Sequence, residues 1–451
     1  MVEILINALV VTMNDKREVL ENAAVAVEDD RIIAVGETDE IIGVYADAQR
    51  TDCAGSIIIP GMVNTHTHSF QTLLKGLGDD MELTKWISCM TGPAALQLTQ
   101  DDLHIAAMHA CVESIRSGVT TLVDFQYVHT QPEMSDKVVE AFQRSGMRGF
   151  VCRGFMTTGA EFGVPEEMIE QIDDVLADVR ASIQKHNRPG GRVQIGIAPC
   201  MVWTVDRNAY QKVRALADQE GILITLHLSE TDFETERAMA DYGCTETQML
   251  HGIGFWGPDV LAVHCVNCNS EDITLLKQSD TKVSHNPCSN LYLGSGIAPI
   301  PKMLDSGLTV ALGSDGPASS NNHSIFHAMK FAALIQKGVH RDPTIMTAEK
   351  VLAMATIDGA RSVGLDHEIG SIEVGKKADI VVITPDSPWI TPLHNAPSAL
   401  VYSALGHEVS SVMIDGKFVM KNRAVLSIDE TDVRNKAQTA ASNLALRAAI
   451  I

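Results

Sequence analysis

Eight short apolar segments recur along the middle of the chain, and each is followed by a polar ending and then by a helix-like stretch. The apolar segments span residues 56–64, 118–125, 149–156, 193–199, 222–227, 260–266, 281–287 and 308–315. Helix-like patterns lie between them, for example at 99–117, 134–146, 165–186, 208–220 and 233–250. Apolar strands that alternate with helices are typical of a parallel sheet buried on both faces. Eight such units predict an α/β fold, a (β/α)8 TIM barrel with insertions.

The two ends of the chain have a different pattern, with short strand candidates joined by turns. A chain of 451 residues is too long for one simple core, yet neither end is long enough for a stable core of its own. We therefore expect residues 1–55 and 376–428 to form one composite β-sandwich domain. Residues 56–375 would form the barrel, and residues 429–451 would end the chain as a helix.

Composition excludes several classes of function. A formal net charge of −22 repels phosphate backbones and anionic lipids, so neither nucleic acid nor a membrane surface is an expected partner. The nine cysteines lack the spacing of a disulfide framework, which favours a reducing compartment. The N-terminus has no basic region and meets an acid at Glu3, so it does not have the pattern of a signal peptide. These features predict a cytoplasmic protein.

The polar endings of the predicted strands carry histidines and carboxylates. In chain order these are His66 and His68, His227 and Glu230, His264, His285 and Asp315. In a barrel of this kind the chemistry lies at the C-terminal ends of the strands. Alternate residues of a strand share a face, so His66 and His68 can point at one centre. Neutral imidazoles and a carboxylate suit zinc or another borderline divalent metal.

This pattern predicts one divalent metal ion per chain, with His66, His68, His227 and Asp315 as ligands and one position open to water. A single HxH among 16 histidines is weak evidence, and a histidine at a strand end is commonly a hydrogen-bonded structural residue. The coincidence of several such endings favours the metal site. The CxxC formed by Cys265 and Cys268 has no second CxxC nearby, so packing is the favoured role for this pair.

Taken together, the motifs resemble the amidohydrolase superfamily, and in particular its aminohydrolase branch. That branch contains adenosylhomocysteine/methylthioadenosine deaminases, guanine-type deaminases and triazine hydrolases. The segments that carry the resemblance are "PGMVNTHTH" (60–68), "LHLSE" (226–230), "VHCV" (263–266), "SHNPCSNLYLGSGIAPI" (284–300), "GSDGPAS" (313–319) and "GSIEVGKKADIVV" (370–382). The resemblance covers essentially the whole chain. It implies a distorted barrel with a composite β-sandwich, and a single Zn²⁺, or alternatively Fe²⁺.

The number of metal ions follows from a departure from one part of this superfamily. Binuclear relatives use a modified lysine at the end of the fourth barrel strand, where this chain reads "VQIGIAPCMVW" (193–203) without a lysine. This difference supports one metal ion.

The resemblance also implies roles for individual residues. Glu230 would protonate a ring nitrogen and then pass a proton to the leaving amine, while His264 would hold the attacking water or the developing negative charge. Asp315 would accept a proton as well as bind metal. We expect His285, Trp86, Gln71 and Asn290 to bind substrate. Further candidates to line the pocket are Phe70, Phe125, Tyr127 and Trp203, although each of these side chains is equally compatible with an ordinary core position.

The expected reaction is hydrolytic deamination of a small amino-substituted nitrogen heterocycle of the purine, pterin, pyrimidine or s-triazine type. Nucleoside deaminases of the superfamily carry a glutamate that binds ribose in the stretch that corresponds to "GPAALQL" (92–98), where this chain has Ala95. This departure weakens a nucleoside interpretation, because a methyl group cannot accept a hydrogen bond. Adenosylhomocysteine/methylthioadenosine deamination and dechlorination of an s-triazine remain alternatives. A binding protein without activity and a cyclic-amide hydrolase are less favoured. By analogy with the superfamily, we expect a homo-oligomer, a dimer or larger.

Overall fold

The structure is a computed structural model, and it describes residues 1–450. Its strands are β1 (Val2–Val11), β2 (Val19–Glu28), β3 (Arg31–Glu37), β4 (Gln49–Asp52), β5 (Ile57–Pro60), β6 (Met62–Thr67), β7 (Val119–Gln126), β8 (Arg148–Phe155), β9 (Val193–Pro199), β10 (Ile224–Leu228), β11 (Val260–His264), β12 (Lys282–His285), β13 (Val310–Leu312), β14 (Ile380–Ile383), β15 (Val409–Ile414), β16 (Lys417–Lys421) and β17 (Ala424–Val425).

Its α-helices are α1 (Thr38–Val44), α2 (Leu83–Trp86), α3 (Gly92–Gln97), α4 (Gln100–Arg116), α5 (Met134–Ser145), α6 (Ile172–His186), α7 (Arg207–Glu220), α8 (Asp232–Tyr242), α9 (Glu246–Gly252), α10 (Ser270–Gln278), α11 (Pro287–Tyr292), α12 (Ile300–Asp305), α13 (Pro317–Ser320), α14 (Ile325–His340), α15 (Ala348–Ala355), α16 (Ile357–Ser362), α17 (Ala396–Ser398) and α18 (Glu430–Arg447). A 3₁₀ helix spans Ser69–Leu74, 3₁₀ turns lie at Ala160–Phe162 and Glu166–Met168, and π-helical turns lie at Ile87–Thr91 and Ala399–Ser403.

The strands β6 to β13 form one parallel sheet in chain order, and helices connect them. The sheet nearly closes on itself, because Asp315 N–H donates to the His66 carbonyl oxygen at 3.0 Å and the Thr65 hydroxyl donates to the Leu312 carbonyl oxygen at 3.0 Å. The strand "VTTLVDFQ" (β7) shows why these segments form the barrel wall: it is rich in β-branched residues and buried along its whole length. The predicted (β/α)8 barrel is confirmed.

Strands from both ends of the chain form the second sheet. It has nine strands in the order β17-β16-β15-β14-β5-β1-β2-β3, with β4 paired to β1. One apolar cluster of this sheet contains Leu5, Val25 and Ile380, and another contains Ile4 and Ile41. The prediction that the two chain ends build one β domain is confirmed, because strands from residues 2–52 and 380–425 lie in the same sheet.

The interpretation of residues 56–64 as a single barrel strand is wrong in its first half. Residues 57–60 form β5, which pairs with β1 and β14 of the terminal sheet, and only β6 enters the barrel. Gly61 separates the two strands, and its N–H donates to the Asp379 carbonyl oxygen at 2.8 Å. An apolar run buried on both faces fits either sheet, so the pattern of side chains does not mark the change of sheet.

Two predicted helical stretches also divide differently in the structure. The stretch 165–186 begins with a 3₁₀ turn and becomes helical only at Ile172, and the stretch 233–250 contains two helices, α8 and α9. The helix expected at the end of the chain is α18, and Arg116 of α4 pairs with Glu430 at its start at 2.8 Å. Within residues 1–450, no helix combines the length and the apolar composition that crossing a membrane requires.

Gly61 provides a test of the junction between the two sheets. A Cβ atom added at Gly61 would lie 2.1 Å from Thr120 Oγ1, whereas one added at Gly43 of α1 would meet nothing within 4 Å. We expect Gly61→Ala to lower the free energy of unfolding by about 1–3 kcal/mol through overpacking. Gly43→Ala should be neutral or stabilising by up to about 1 kcal/mol, because alanine is the better helix former. Urea unfolding of both variants measures this difference, and equal stabilities would contradict the tight junction.

Candidate metal centre and active site

The side chains predicted as metal ligands converge at the C-terminal end of the barrel. Asp315 Oδ1 lies 3.3 Å from His66 Nε2 and 3.4 Å from His68 Nε2, and His227 Nε2 lies 3.3 Å from His68 Nε2. All four side chains are buried. The nitrogens of the three histidines lie within 4.8 Å of one another, and so do the ligand atoms of His66, His264 and Asp315.

The backbone orients two of these imidazoles. His68 Nδ1 donates to the Phe125 carbonyl oxygen at 2.7 Å, and His227 Nδ1 donates to the Cys200 carbonyl oxygen at 2.9 Å. A proton on Nδ1 leaves the lone pair of Nε2 directed into the cluster, as metal ligation requires. Burial lowers the pKa of His68 to about 3, and burial together with the neighbouring His66 holds the pKa of His227 well below its usual range. Both imidazoles are therefore neutral at pH 7.

Two further observations fit a metal ion. Both ring nitrogens of His66 are buried without a hydrogen-bond partner, which is costly unless another group satisfies them. Burial alone would raise the pKa of Asp315, but the surrounding imidazoles, His66 foremost, outweigh it and hold this pKa well below its usual range. Three neutral imidazoles and one carboxylate form a ligand set that suits Zn²⁺ or a similar divalent ion.

The carboxylate of Asp315 is held on both oxygens. Gly316 N–H donates to Oδ1 at 2.6 Å, and the hydroxyls of Ser289 and Ser319 donate to Oδ2 at 2.5 and 3.1 Å. The backbone of Asp315 is left-handed with φ +60°, and His264 shares this conformation with φ +70°. Such strained residues persist where the surrounding structure fixes them, and they cluster at functional sites. Here they turn two strand ends towards the same centre.

Glu230 lies beside this cluster and is only 3% exposed. Its Oε2 is 3.5 Å from His264 Nε2, and its Oε1 accepts from the Ser295 hydroxyl at 3.0 Å. Burial raises the pKa of Glu230 to about 7. A carboxyl group with this pKa can both accept and donate a proton near neutral pH, which is the property of a general acid–base group.

A cavity lies over the cluster, and His68, His227, Glu230, His264 and Asp315 all line it. Of the residues predicted to bind substrate or line the pocket, Gln71, Trp86, Tyr127 and Trp203 do line this cavity. Many of the remaining wall residues are apolar, namely Leu83, Ile87, Met156, Val164, Pro165, Met168, Met201 and Leu293. A polar cluster beneath a mainly apolar wall is the usual form of a site for a small organic ligand.

The comparisons with known proteins agree with this arrangement. A family model described as "Amidohydrolase family" matches residues 57–419. The chain is 38% identical to a 5'-deoxyadenosine deaminase from Methanosarcina acetivorans over 443 residues, which is 98% of each chain. It is also 38% identical to a 5-methylthioadenosine/S-adenosylhomocysteine deaminase from Desulforudis audaxviator over 420 residues, 93% of this chain and 94% of the relative. The chain belongs to the amidohydrolase family.

Solved structures place this amidohydrolase in the aminohydrolase branch of the superfamily. It matches the crystal structure of an adenosine deaminase from Xanthomonas campestris with bound zinc, with a TM-score of 0.93, 29% identity and 98% coverage of each chain. A mutant atrazine chlorohydrolase from Arthrobacter aurescens, in complex with zinc and atraton, has a TM-score of 0.91 at 23% identity, covering 97% of this chain and 100% of that one, and it shows a shared fold. The predicted resemblance to the aminohydrolase branch is confirmed.

Four candidate residues lie elsewhere in this amidohydrolase than at the cavity wall. Phe70 and Phe125 are buried in the core, and Phe125 contributes its carbonyl oxygen to the orientation of His68. His285 and Asn290 line a separate, smaller cavity. Asn290 Oδ1 lies 2.8 Å from His264 Nδ1, so the structure gives this amide a contact with a residue of the cluster. The expected contact of His285 and Asn290 with a bound substrate stays a prediction.

Gln71 depends on a neighbouring glycine for its position. Its Nε2 donates to the Tyr127 hydroxyl at 3.3 Å, while its Oε1 is buried without a partner. A Cβ atom at position 316 would lie 1.8 Å from Gln71 Oε1, so any larger residue there would displace this amide from its present position. Gln71 therefore offers a fixed hydrogen-bond acceptor beside Asp315.

Several residues around the site were missed from the sequence. Ser289 and Ser319 lie within the motifs "SHNPCSNLYLGSGIAPI" and "GSDGPAS", so their positions in the sequence carry a signal for them. The methionines and leucines of the cavity wall offered none, because their types are those of any barrel core. His323 was also missed, since it lies beyond the last motif of the barrel.

His323 is fully buried and supports the strand that carries His66 and His68. The Thr67 hydroxyl donates its only proton to the Asp315 carbonyl oxygen at 3.1 Å, so His323 Nδ1 must donate to Thr67 Oγ1 at 3.1 Å. The Thr72 hydroxyl then donates to His323 Nε2, also at 3.1 Å. This arrangement requires a neutral imidazole. Burial agrees with it, lowering the pKa of His323 to about 4.

Stability should therefore fall as the pH falls from about 6.5 to about 4. Over this range His323 takes up a proton in the unfolded chain, where its pKa is near 6.5, but stays neutral in the folded chain. A pKa difference of about 2.5 corresponds to about 3 kcal/mol lost below both values. Urea unfolding of the metal-free protein across this pH range measures the loss.

The variants identify the contribution of this residue. Over this pH range the free energy of unfolding of His323→Gln should fall by about 3 kcal/mol less than that of the parent protein. His340→Gln, at an exposed position of α14, should show the same fall as the parent protein. Equal pH dependence in His323→Gln and the parent would contradict the neutral buried imidazole.

Proposed function

We propose that this amidohydrolase is a metal-dependent aminohydrolase that deaminates a small amino-substituted nitrogen heterocycle and releases ammonia. The observation that carries the proposal is the position of Glu230, a buried carboxyl group 3.5 Å from His264 in a cavity that also exposes His68, His227 and Asp315. In the overall reaction water adds its oxygen to the carbon that bears the amine, and the carbon–nitrogen bond breaks.

The residues that would hold the metal ion are His66, His68, His227 and Asp315, and we propose Zn²⁺, with Fe²⁺ as the alternative. Such an ion lowers the pKa of a water molecule so that hydroxide becomes available near neutral pH. The neutral state of His68 and His227 supports this assignment, since only neutral imidazoles bind metal.

Glu230 would transfer the protons of the reaction. With a pKa of about 7 it can take up a proton and deliver it to the ring nitrogen beside the reacting carbon, and it can then pass a proton to the leaving amine. His264 would stabilise the oxygen that gains negative charge. Burial would lower its pKa, but the charges of Glu230 and Asp315 outweigh burial and raise it, which favours the imidazolium form. An imidazolium Nε2–H is a strong donor to an anionic oxygen.

The substrate we propose is an adenosine-type compound whose 5' substituent is small and uncharged. The names of the two relatives, a 5'-deoxyadenosine deaminase and a 5-methylthioadenosine/S-adenosylhomocysteine deaminase, support an aminopurine. The wall formed by Met156, Met168 and Met201 supports an apolar substituent. The presence of Ala95 weakens a nucleoside interpretation. This residue is buried in α3 and does not line the cavity, whereas Thr91 and Gly92, which precede it, do line the cavity.

We also propose that the protein is cytoplasmic and a homo-oligomer. The free thiols of the cysteines support a reducing compartment. The oligomeric state rests on analogy with the superfamily alone.

A panel of substrates tests the proposed function. Ammonia release should be measured for 5'-deoxyadenosine, 5'-methylthioadenosine, S-adenosylhomocysteine, adenosine, a pterin and melamine, and chloride release for atrazine. We expect kcat/KM for 5'-methylthioadenosine to exceed that for S-adenosylhomocysteine at least about tenfold, because the charged amino-acid tail would lose water against an apolar wall. If no compound of the panel releases ammonia although one metal ion is bound per chain, the proposed deamination is contradicted. Chloride release alone would favour the dehalogenase alternative.

Glu230→Gln tests the proton transfer. The variant should keep its metal ion, because Glu230 is not a proposed ligand, and should lose about 10²–10⁴-fold in kcat, since an amide cannot exchange the proton. Ser295→Ala is the control: it removes the 3.0 Å hydrogen bond to Oε1 but leaves the carboxyl group, so we expect a loss of tenfold or less. Metal analysis and kcat measure both effects, and near-normal turnover by Glu230→Gln would rule out the assigned role.

A further inference from the structure

Glu234 is a buried carboxyl group that the proposed reaction does not use. It lies in the first turn of α8 and is 1% exposed, yet it is not a wall residue of the cavity. Its Oε2 accepts from the backbone N–H groups of Glu230 and Thr231, at 2.5 and 3.3 Å. Its Oε1 accepts from the indole N–H of Trp203 at 3.3 Å.

We infer that Glu234 is a positioning residue that fixes the proton-transferring Glu230 and the cavity wall at Trp203 relative to each other. The inference rests on the proposed function for the role of Glu230. Trp203 follows β9 and Glu230 follows β10, so one carboxylate joins the ends of two neighbouring barrel strands. Glu234 thereby contacts both the cavity wall against which a substrate would pack and the residue that would protonate the substrate.

Capping of α8 accounts for only part of these contacts. Glu234 supplies one half of a capping box by accepting from the Thr231 N–H, and a glutamate or a glutamine at this position serves that purpose equally well. A helix cap of this kind needs only one acceptor oxygen, and the capping side chain need not be buried. Here the second oxygen is also buried and bound to Trp203, although burying a carboxylate is costly. The contacts beyond the cap are therefore the ones that call for a carboxylate.

Both partners of Glu234 are constrained in other ways. Glu230 follows Ser229, whose backbone is left-handed with φ +49°, so the chain turns sharply before the acid. The indole of Trp203 packs edge-on against Phe162 and Phe233, at 5.7 and 5.5 Å between ring centres. Glu234 satisfies the indole N–H, which leaves the ring to present apolar surface to the cavity.

Glu234→Gln separates positioning from capping. Glutamine keeps one acceptor for the capping box, but its amide NH₂ group then faces the indole N–H of Trp203, donor against donor. We expect unchanged metal content and a similar melting temperature. With 5'-methylthioadenosine, or with the best member of the panel, KM should rise and kcat should fall, so that kcat/KM falls at least about tenfold. Unchanged kcat and KM, or a change in melting temperature alone, would show that Glu234 only caps the helix.

Glu246→Gln is the matched control. Glu246 is as buried as Glu234 and accepts from the Ser229 hydroxyl at 2.5 Å, but it contacts neither Trp203 nor the N–H of Glu230. Burial raises its pKa to about 8, so it is protonated at neutral pH and glutamine is a close substitute. We expect kcat and KM within about twofold of the parent. An equal loss in Glu246→Gln would overturn a specific role for Glu234.

The Trp203→Phe background tests the two links separately. Phenylalanine has no indole N–H, so adding Glu234→Gln to Trp203→Phe should change neither KM nor kcat further, because glutamine keeps the oxygen that accepts from the N–H groups of Glu230 and Thr231. Adding Glu234→Ala instead removes that oxygen and should lower kcat through Glu230. A double variant with Glu234→Ala that keeps the kcat of Trp203→Phe would overturn the link to Glu230.

Tryptophan fluorescence tests the link to the wall without any substrate. Glu234→Gln should shift the emission of the parent protein but not that of Trp203→Phe. An equal shift in both, or a shift in neither, would overturn the link to Trp203. If the parent releases ammonia from no compound, the proposed function fails, and this measurement still decides the Glu234–Trp203 link.

Discussion

The hydrogen bond from Asp315 N–H to the His66 carbonyl oxygen is the contact on which the site depends most. It lies where the last barrel strand meets the first, and it joins two of the four proposed metal ligands through their backbones. His66 and Asp315 are 249 positions apart in the numbering, so their side chains meet only if all eight strands are in register. The Thr67 hydroxyl, held by His323, adds a second bond across the same seam at 3.1 Å. Closure of the barrel and assembly of the site are thus one event.

The opposite end of the barrel is held by the terminal sheet. Arg148, at the start of β8, is buried and donates to Asp379, next to β14, at 2.8 and 3.0 Å. Breaking a buried pair of this kind leaves an uncompensated charge, so it specifies how the sheet docks even where its net stabilisation is small. The direct passage from β5 into β6 through Gly61 fixes the same interface covalently. Strand β6, which carries His66, is therefore held at both ends: at its start by the terminal sheet and at its end by the contacts of His66 and Thr67 with Asp315.

The barrel and the proposed ligand set were predictable because their signals are local. Each strand is a short apolar run, and His66, His68, His227 and Asp315 stand at or just beyond strand ends, where the architecture directs side chains to one centre. The change of sheet at Gly61 was not predictable, since Ile57 and Val63 are equally apolar and equally buried. The carbonyl groups of Phe125 and Cys200 that orient the imidazoles were also out of reach, because every residue has a carbonyl group and only the fold selects which ones take part.

The contact between Gln71 and Gly316 ties the identities of two positions that are far apart in sequence. The amide oxygen occupies the space that a methyl group at 316 would need, so replacing glycine at 316 requires the Gln71 side chain to move or to be shortened. Exchanging Gln71 for a short side chain would release this restriction. Among descendants of this sequence, the two positions are then expected to vary as a pair. A library designed to change the substrate would reach more functional variants by randomising 71 and 316 together than by randomising either alone.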